Sequence, residues 1–194
     1  MKVTLLKTDA REKDLGRLAH FTHSAHGSTL AVIDSVQAER IAVNCLRLGH
    51  MSVFEFAHLT FCISCPIFVA RQLMRHRNGV FLEKSLRHVK LSAGAVDWGV
   101  HVDDDDVTPA AYGAAVLAYQ TLLEKGARKE KARAVLPLGT PTEFIWKLSL
   151  RSLFNVFDQR LRDEAQEETR EVVEEMFEQT REHFPKLLEE WKKK

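Results

Sequence analysis

The sequence predicts an α+β fold, and three observations carry that prediction. Apolar residues recur at helical spacing in some stretches and alternate in others. The two kinds of stretch follow one another without a regular βαβ rhythm. No internal repeat, low-complexity block or Gly/Ser/Pro-rich linker divides the chain, so 1–194 reads as a single domain.

Lys2 to Lys7 reads as a short first strand. From Thr29 to Leu48, the residues Leu30, Ile33, Ile41, Cys45 and Leu48 keep near-helical spacing, and Gly49 supplies a stop. Val53 to Ile63 is rich in Phe, Thr and Ile and partly alternates, which predicts a strand. Pro66 ends it and suits the first turn of a helix through Phe68, Gln72 and Arg75, where its missing N–H costs nothing. The run Asp103 to Asp106 precedes Thr108-Pro109, a cap-plus-proline start for a helix carrying Tyr112, Val116, Tyr119 and Leu123. Thr142 to Leu150 again looks extended. A long amphipathic helix then places Ala165, Val172, Val173, Met176, Phe177 and Phe184 on one stripe. Pro185 ends or kinks it, leaving a short charged tail at 186–194 that frays at Lys192–Lys194.

Composition narrows the function classes. The chain has 28 Lys+Arg against 27 Asp+Glu, a net charge of +1, which argues against wholesale nucleic-acid binding. Its apolar stretches break well before the roughly 18–20 residues that span a bilayer, so no membrane span is expected. Three cysteines are too few, and odd in number, for a disulfide scaffold. The N-terminus, Met1 to Asp9, lacks an apolar signal core. A cytoplasmic protein is expected.

The most unusual segment is basic. Arg71, Arg75, Arg77, Lys84, Arg87 and Lys90 face one acid, Glu83, in an otherwise balanced chain. Guanidinium groups present forked donors that match phosphate oxygens at any working pH. The apolar neighbours Phe68, Val69, Leu73 and Met74 imply partial burial, and a buried guanidinium needs an anion or carboxylate. A turn at Asn78-Gly79 would fold Ser85 and Arg87 back onto the anion held by Arg75-His76-Arg77. A solvated basic face paired with the acidic C-terminal helix is the alternative. Phe81 is the lone aromatic between Arg71 and Lys90, which is poor for stacking nucleic-acid bases.

Other signals are weaker. Cys62-Ile63-Ser64-Cys65 has redox or half-zinc spacing but no second pair, so buried strand-end cysteines are expected. His20, His23 and His26 lack acidic or cysteine partners, the four-Asp run suits a solvated loop, and no metal site is predicted.

Arg75-His76-Arg77, then seven residues, then Ser85 and Arg87, resembles the signature of flavin-dependent thymidylate synthases. Further blocks in the same order resemble that family: His50 to Glu55, Cys65 to Gln72, Ala132 to Leu138, Arg151 to Asn155, Arg160, and Ala165-Gln166. The resemblance implies mixed helices around a mainly antiparallel sheet, a homotetramer, and active sites built from more than one chain. It also implies FAD as cofactor, with methylenetetrahydrofolate and NADPH as co-substrates in methylating the uracil C5 of dUMP. By position, Ser52, Arg75, His76, Arg77 and Asn155 would contact FAD. Gln72, Glu83, Ser85, Arg87 and Arg133 would hold the nucleotide, and Arg160 would face the uracil ring as the catalytic cation. In such chemistry the cofactors carry the reacting groups, and the protein supplies position and charge.

The family pattern is departed from at Val80, Leu82, His88, Ser149 and Glu164, where Ser, Asn, Tyr, Asn and His are usual. The phosphate and uracil positions survive, so a pyrimidine nucleotide is expected. UMP or a related nucleotide as substrate, and a non-catalytic nucleotide-binding homologue, are the alternatives.

Overall fold

A computed structural model describes residues 1–22, 24, 33–91 and 107–193. Four strands, β1 (Lys2–Thr8), β2 (His58–Pro66), β3 (Gly79–Glu83) and β4 (Pro141–Ser149), form one sheet in the order β1-β2-β4-β3. Every neighbouring pair is antiparallel, as expected. The helices among the described residues are α1 (Glu12–Phe21), α2 (Ser35–Arg47), α3 (Ile67–Leu73), α4 (Val107–Glu124), α5 (Lys129–Ala132), α6 (Leu150–Arg160), α7 (Glu167–Arg181) and α8 (Pro185–Trp191).

Strand alternation decides which face of the sheet is covered. In β2, Leu59, Phe61, Ile63 and Cys65 are buried, while Thr60, Cys62 and Ser64 between them are only partly so. Phe144, Trp146 and Leu148 of β4 join the same buried face. Helices α6, α7 and α8 supply Leu153, Phe157, Val173, Met176 and Leu187 to that core. Gln179 of α7 also satisfies the outer edge of β1, donating to the Val3 carbonyl at 2.9 Å and accepting from the Leu5 N–H. On its paired side, β1 shifts register against β2 between Leu5 and Lys7.

The strand expected from Val53 begins instead at His58. Met51–Glu55 is a 3-10 turn burying Val53 and Phe54, and the Ala57 carbonyl accepts from the Leu150 N–H at 2.8 Å. Adjacent apolar residues suit a tight turn with a short repeat better than a strand that would place them on opposite faces. Helix α2 starts at Ser35, where Asp34 accepts from the Gln37 N–H at 2.9 Å. Of the expected helix from Thr29, residues 29–32 lie outside the described residues, as do Asp103–Asp106. Gly49 ends the segment with φ 73°, a left-handed conformation that suits glycine. Pro66 sits just ahead of α3 as its N-cap, and Arg75 falls beyond that helix.

The predicted long C-terminal helix is divided, with Ala165 ahead of α7 and Phe184 after it. The stretch 186–194 is not simply a charged tail, because α8 buries Leu187 and Leu188. Its first turn is held by Glu12 of α1, whose carboxylate accepts from the Leu187 N–H at 2.8 Å. Lys186 of the same turn pairs with Glu39 of α2. Glu12 is only 5% exposed, and burial pushes its carboxyl above the usual range. The pair Cys62 and Cys65 straddles the sheet, since residues three apart on a strand point to opposite faces. Burial pushes the Cys65 thiol up to about 12, with Glu83 adding to the shift, so it stays an inert core thiol.

Replacing Glu12 separates its two effects. Glu12→Ala orphans a buried N–H and should cost about 1–3 kcal/mol in urea denaturation. Glu12→Gln keeps an acceptor without a buried charge and should retain wild-type stability or better at pH 7. Equal losses in both variants would show that the Leu187 contact does not hold α8.

Candidate active site

The site begins where α3 stops. Met74 closes the helix by donating to the Ala70 carbonyl at 2.9 Å, and His76 N–H reaches the Leu73 carbonyl at 3.0 Å. The backbone then turns sharply, and Gly79 starts β3 opposite Leu148 of β4. This reversal presents Arg75, His76 and Arg77 along the end of the sheet. Phe81 stacks on the buried Trp146 ring, centroids 5.0 Å apart and planes 22° apart. Gly79 is required for that approach, because a Cβ there would lie 2.4 Å from the Trp146 Nε1.

Helix α6 supplies the facing wall. Its N-cap, Ser149, accepts from the Ser152 N–H at 3.2 Å, so serine still does the local work that asparagine would do here. Asn155 lies within the helix and Arg160 ends it, where the partial negative charge of the helix C-terminus favours a cation. A cavity of about 240 Å³ is lined by Arg75, His76, Arg77, Asn78, Trp146 and Asn155, among others. A second, of about 620 Å³, shares Asn78, Ser152 and Asn155 and adds Glu55, His58 and Arg151. The shared walls make the two parts of one trough.

Arg160 is held entirely by neutral acceptors. Its Nε donates to His76 Nε2 at 3.1 Å, and its Nη2 donates to the Gln72 carbonyl at 3.2 Å. Its Nη1 reaches Gln72 Oε1 at 3.5 Å. Among the described residues, no carboxylate forms an ion pair with Arg75, Arg77, Arg133 or Arg160. Burial, and then the Arg160 charge, lower the His76 pKa to about 4. His76 is therefore neutral at pH 7, with its lone pair on Nε2 and its proton on Nδ1. The result is a preplaced positive charge with spare donors, suited to an anion or an electron-rich ring edge.

Of the residues expected to act together, Arg75, His76, Arg77 and Asn155 line the trough, and Arg160 and Gln72 adjoin it through the contact of Arg160 with His76. The others lie elsewhere. Ser52 lines a separate cavity of about 1260 Å³ with His50, beside α1 and α2. Glu83 ends β3 and accepts from Thr142 Oγ1 at 2.7 Å. Ser85 Oγ accepts from the Arg87 N–H at 3.3 Å, and Arg87 Nε pairs with Glu130 at 3.6 Å. Arg133 is exposed at the start of a 3-10 turn, Arg133–Val135.

The expected convergence of Ser85 and Arg87 on the Arg-His-Arg anion does not occur within one chain. The residues after Asn78 form strand β3, and five extended residues carry the chain about 17 Å away. Val80 and Leu82 are each 71% exposed on this edge strand, so they place apolar groups on the surface of the chain. Sequence reasoning missed Glu55, His58 and Arg151 as walls of the trough. Glu55 and Arg151 lay inside the recognised blocks, but their ion pair across the trough is a tertiary fact. His20 lies in α1, while His23 and His26 fall outside the described residues. Among the described residues, no cluster of His, Cys, Asp and Glu is arranged to hold a metal ion. No helix among them is long and apolar enough to cross a membrane.

Fold and site together define an α+β protein whose antiparallel sheet and sixth helix gather uncompensated arginines and a neutral histidine around a polar trough. The sequence model of the thymidylate synthase complementing protein family matches residues 4–186, and the chain belongs to that family. It is 36% identical over 161 residues to a flavin-dependent thymidylate synthase from Pseudothermotoga lettingae, covering 77% of this chain and 72% of that protein. It is 35% identical over 166 residues to the corresponding Thermus thermophilus protein, covering 72% of this chain and 58% of that one. Its fold is similar to that of the UMP/dUMP methylase PolB from Streptomyces cacaoi bound with 5-Br dUMP. The TM-score is 0.85 at 23% identity, covering 98% of this chain and 94% of that one.

The depressed pKa of His76 gives the site an acid limit. An unfolded histidine takes up a proton near pH 6.5, the folded one only near 4, so acid favours the unfolded chain between those values. The stability that His76 contributes is complete above 6.5 and lost as pH falls through about 4. Urea midpoints at pH 7 and pH 5 should differ more in the wild type than in His76→Asn. An equal difference in both would place the acid sensitivity elsewhere.

Proposed function

We propose that this chain reductively methylates the uracil C5 of a pyrimidine nucleotide, dUMP to dTMP, with FAD, methylenetetrahydrofolate and NADPH. The observation that carries this reading is Arg160, a guanidinium at a helix end held by Gln72 and His76 with no carboxylate to neutralise it. A uracil ring acquiring negative charge at N3 and O4 is the natural complement of such a group. Withdrawing electron density from an N3-ionised ring would oppose catalysis, so the cation's role is to stabilise that ionised form, which is richer at C5.

The trough suits FAD by its donor set. Arg75 and Arg77 offer forked donors for a diphosphate, Asn78 and Asn155 offer amides for a polar ring edge, and Trp146 with Leu148 supplies an apolar wall. When bound, reduced FAD supplies the hydride. The chain's own part is to bind and orient: Arg75, His76, Arg77 and Asn155 hold the cofactor, and Arg160 holds charge on the uracil. Glu83, Ser85, Arg87 and Arg133 bind the nucleotide sugar and phosphate, and Ser52, which lines the separate cavity beside α1 and α2, is taken as a further cofactor contact.

Assembly supplies what a single chain lacks. Strand β3 carries Ser85 and Arg87 away from His76 and the Arg160 it contacts, so a nucleotide gripped by Ser85 and Arg87 and facing Arg160 requires one of these groups from another copy. Exposed Val80 and Leu82 beside it favour such an arrangement, and we take the working form to be a homotetramer. UMP is the second candidate substrate, because the protein of similar fold is described as a UMP/dUMP methylase.

Purified protein should bind FAD and release tritium from 5-labelled dUMP when methylenetetrahydrofolate and NADPH are present. Parallel assays with UMP decide the sugar, and a protein that cannot take up FAD would defeat the proposal. Arg160→Ala should abolish turnover while leaving the thermal midpoint near wild type, whereas Arg87→Ala should chiefly raise the nucleotide KM. Light scattering should give a mass four times the 22.2 kDa chain. A monomer with full activity would sink the shared-site argument.

A further inference from the structure

Gln166 lies six residues beyond Arg160, immediately before α7, and takes no part in the proposed contacts to cofactor or nucleotide. Its backbone carbonyl starts that helix, accepting from the Thr169 and Arg170 N–H groups at 3.0 Å each. Its side chain makes no cap contact. Instead, Gln166 Oε1 accepts from Gln72 Nε2, the amide whose Oε1 faces Arg160 Nη1.

We propose that Gln166 is a positioning residue for Arg160, acting through Gln72. The polarity of the chain of contacts admits one arrangement. A guanidinium has only donors, so the Gln72 atom facing it must be the carbonyl oxygen. The Gln72 NH₂ then faces outward, and the atom that meets it must be an acceptor, which Gln166 Oε1 supplies. On the opposite side, neutral His76 accepts from Arg160 Nε. Remove the Gln166 acceptor, and the Gln72 amide is anchored only by its 3.5 Å contact with Arg160, so it can swing away and the guanidinium loses one of its fixed contacts.

This role deepens the proposed reaction and rests on Arg160 acting at the uracil. It predicts a loss in kcat with little change in the nucleotide KM, because the Gln72 side chain is engaged by Arg160 and Gln166 while Glu83, Ser85, Arg87 and Arg133 grip the phosphate and sugar. Side-chain exchange at Gln166 should leave α7 intact, since only its backbone caps the helix.

The test uses Gln166→Leu, which removes the acceptor, and Gln166→Glu, which restores one. Steady-state kinetics with dUMP and UMP should show kcat about tenfold lower in Gln166→Leu, with KM and thermal midpoint near wild type. Gln166→Glu should recover most of that loss. A second readout needs no turnover: phenylglyoxal labelling of Arg160, followed by peptide mass spectrometry. Labelling should be faster in Gln166→Leu than in wild type, and slowed again in Gln166→Glu. If Gln166→Leu stays at wild-type level in either readout, or Gln166→Glu fails to restore both, the inference is overturned. If the wild type turns over neither nucleotide, the proposed function fails, and the labelling alone decides the positioning role.

Discussion

The site depends on one unneutralised guanidinium. Arg160 sits at the end of α6, and its contacts go to a carbonyl, an amide oxygen and a neutral imidazole. A carboxylate in any of those places would cancel the charge; apolar neighbours alone would make its burial prohibitive. Neutral acceptors allow the cation to be held in place while its field remains available. The lowered pKa of His76 follows from the same arrangement, because a charged imidazole beside Arg160 would repel it and offer no lone pair.

The sheet supplies the rigidity this arrangement needs. Pairing of β2 with β4 over nine residues fixes where α6 begins, since Ser149 both ends β4 and caps the helix. Pairing of β3 with β4 fixes the reversal at Asn78-Gly79, and with it the Arg-His-Arg segment. Trp146 links the two through its stacking on Phe81 and its closeness to His76, ring centroids 6.3 Å apart. Strand β3 thus has two consequences. It frames the trough at one end, and it carries Ser85 and Arg87 away from that end.

Elements with a strong local signature were legible in the sequence. β1, β4 and α4 announce themselves by alternation or helical spacing, and the structure has them close to the expected places, although α4 already includes Val107, ahead of the expected cap Thr108. Boundaries governed by distant partners were not legible. Val53 to Ala57 alternates weakly enough to pass for a strand, yet it turns because its apolar residues must enter the core beside α6. Residues after Pro185 look like a charged tail, but Glu12, far away in sequence, satisfies the start of a helix there.

By itself, the sequence determined the class of fold, the family and the identities of the arginines, because these rest on residue type, order and spacing. It also marked Arg75, His76, Arg77, Asn155 and Arg160 as partners, and the fold brings them together. Only the tertiary structure decided that His76 is neutral, that Arg160 lacks a carboxylate, and that Ser85 and Arg87 stand apart. Those facts depend on burial, on strand extension and on which groups meet across long separations. None of these quantities is written in the local order of residues.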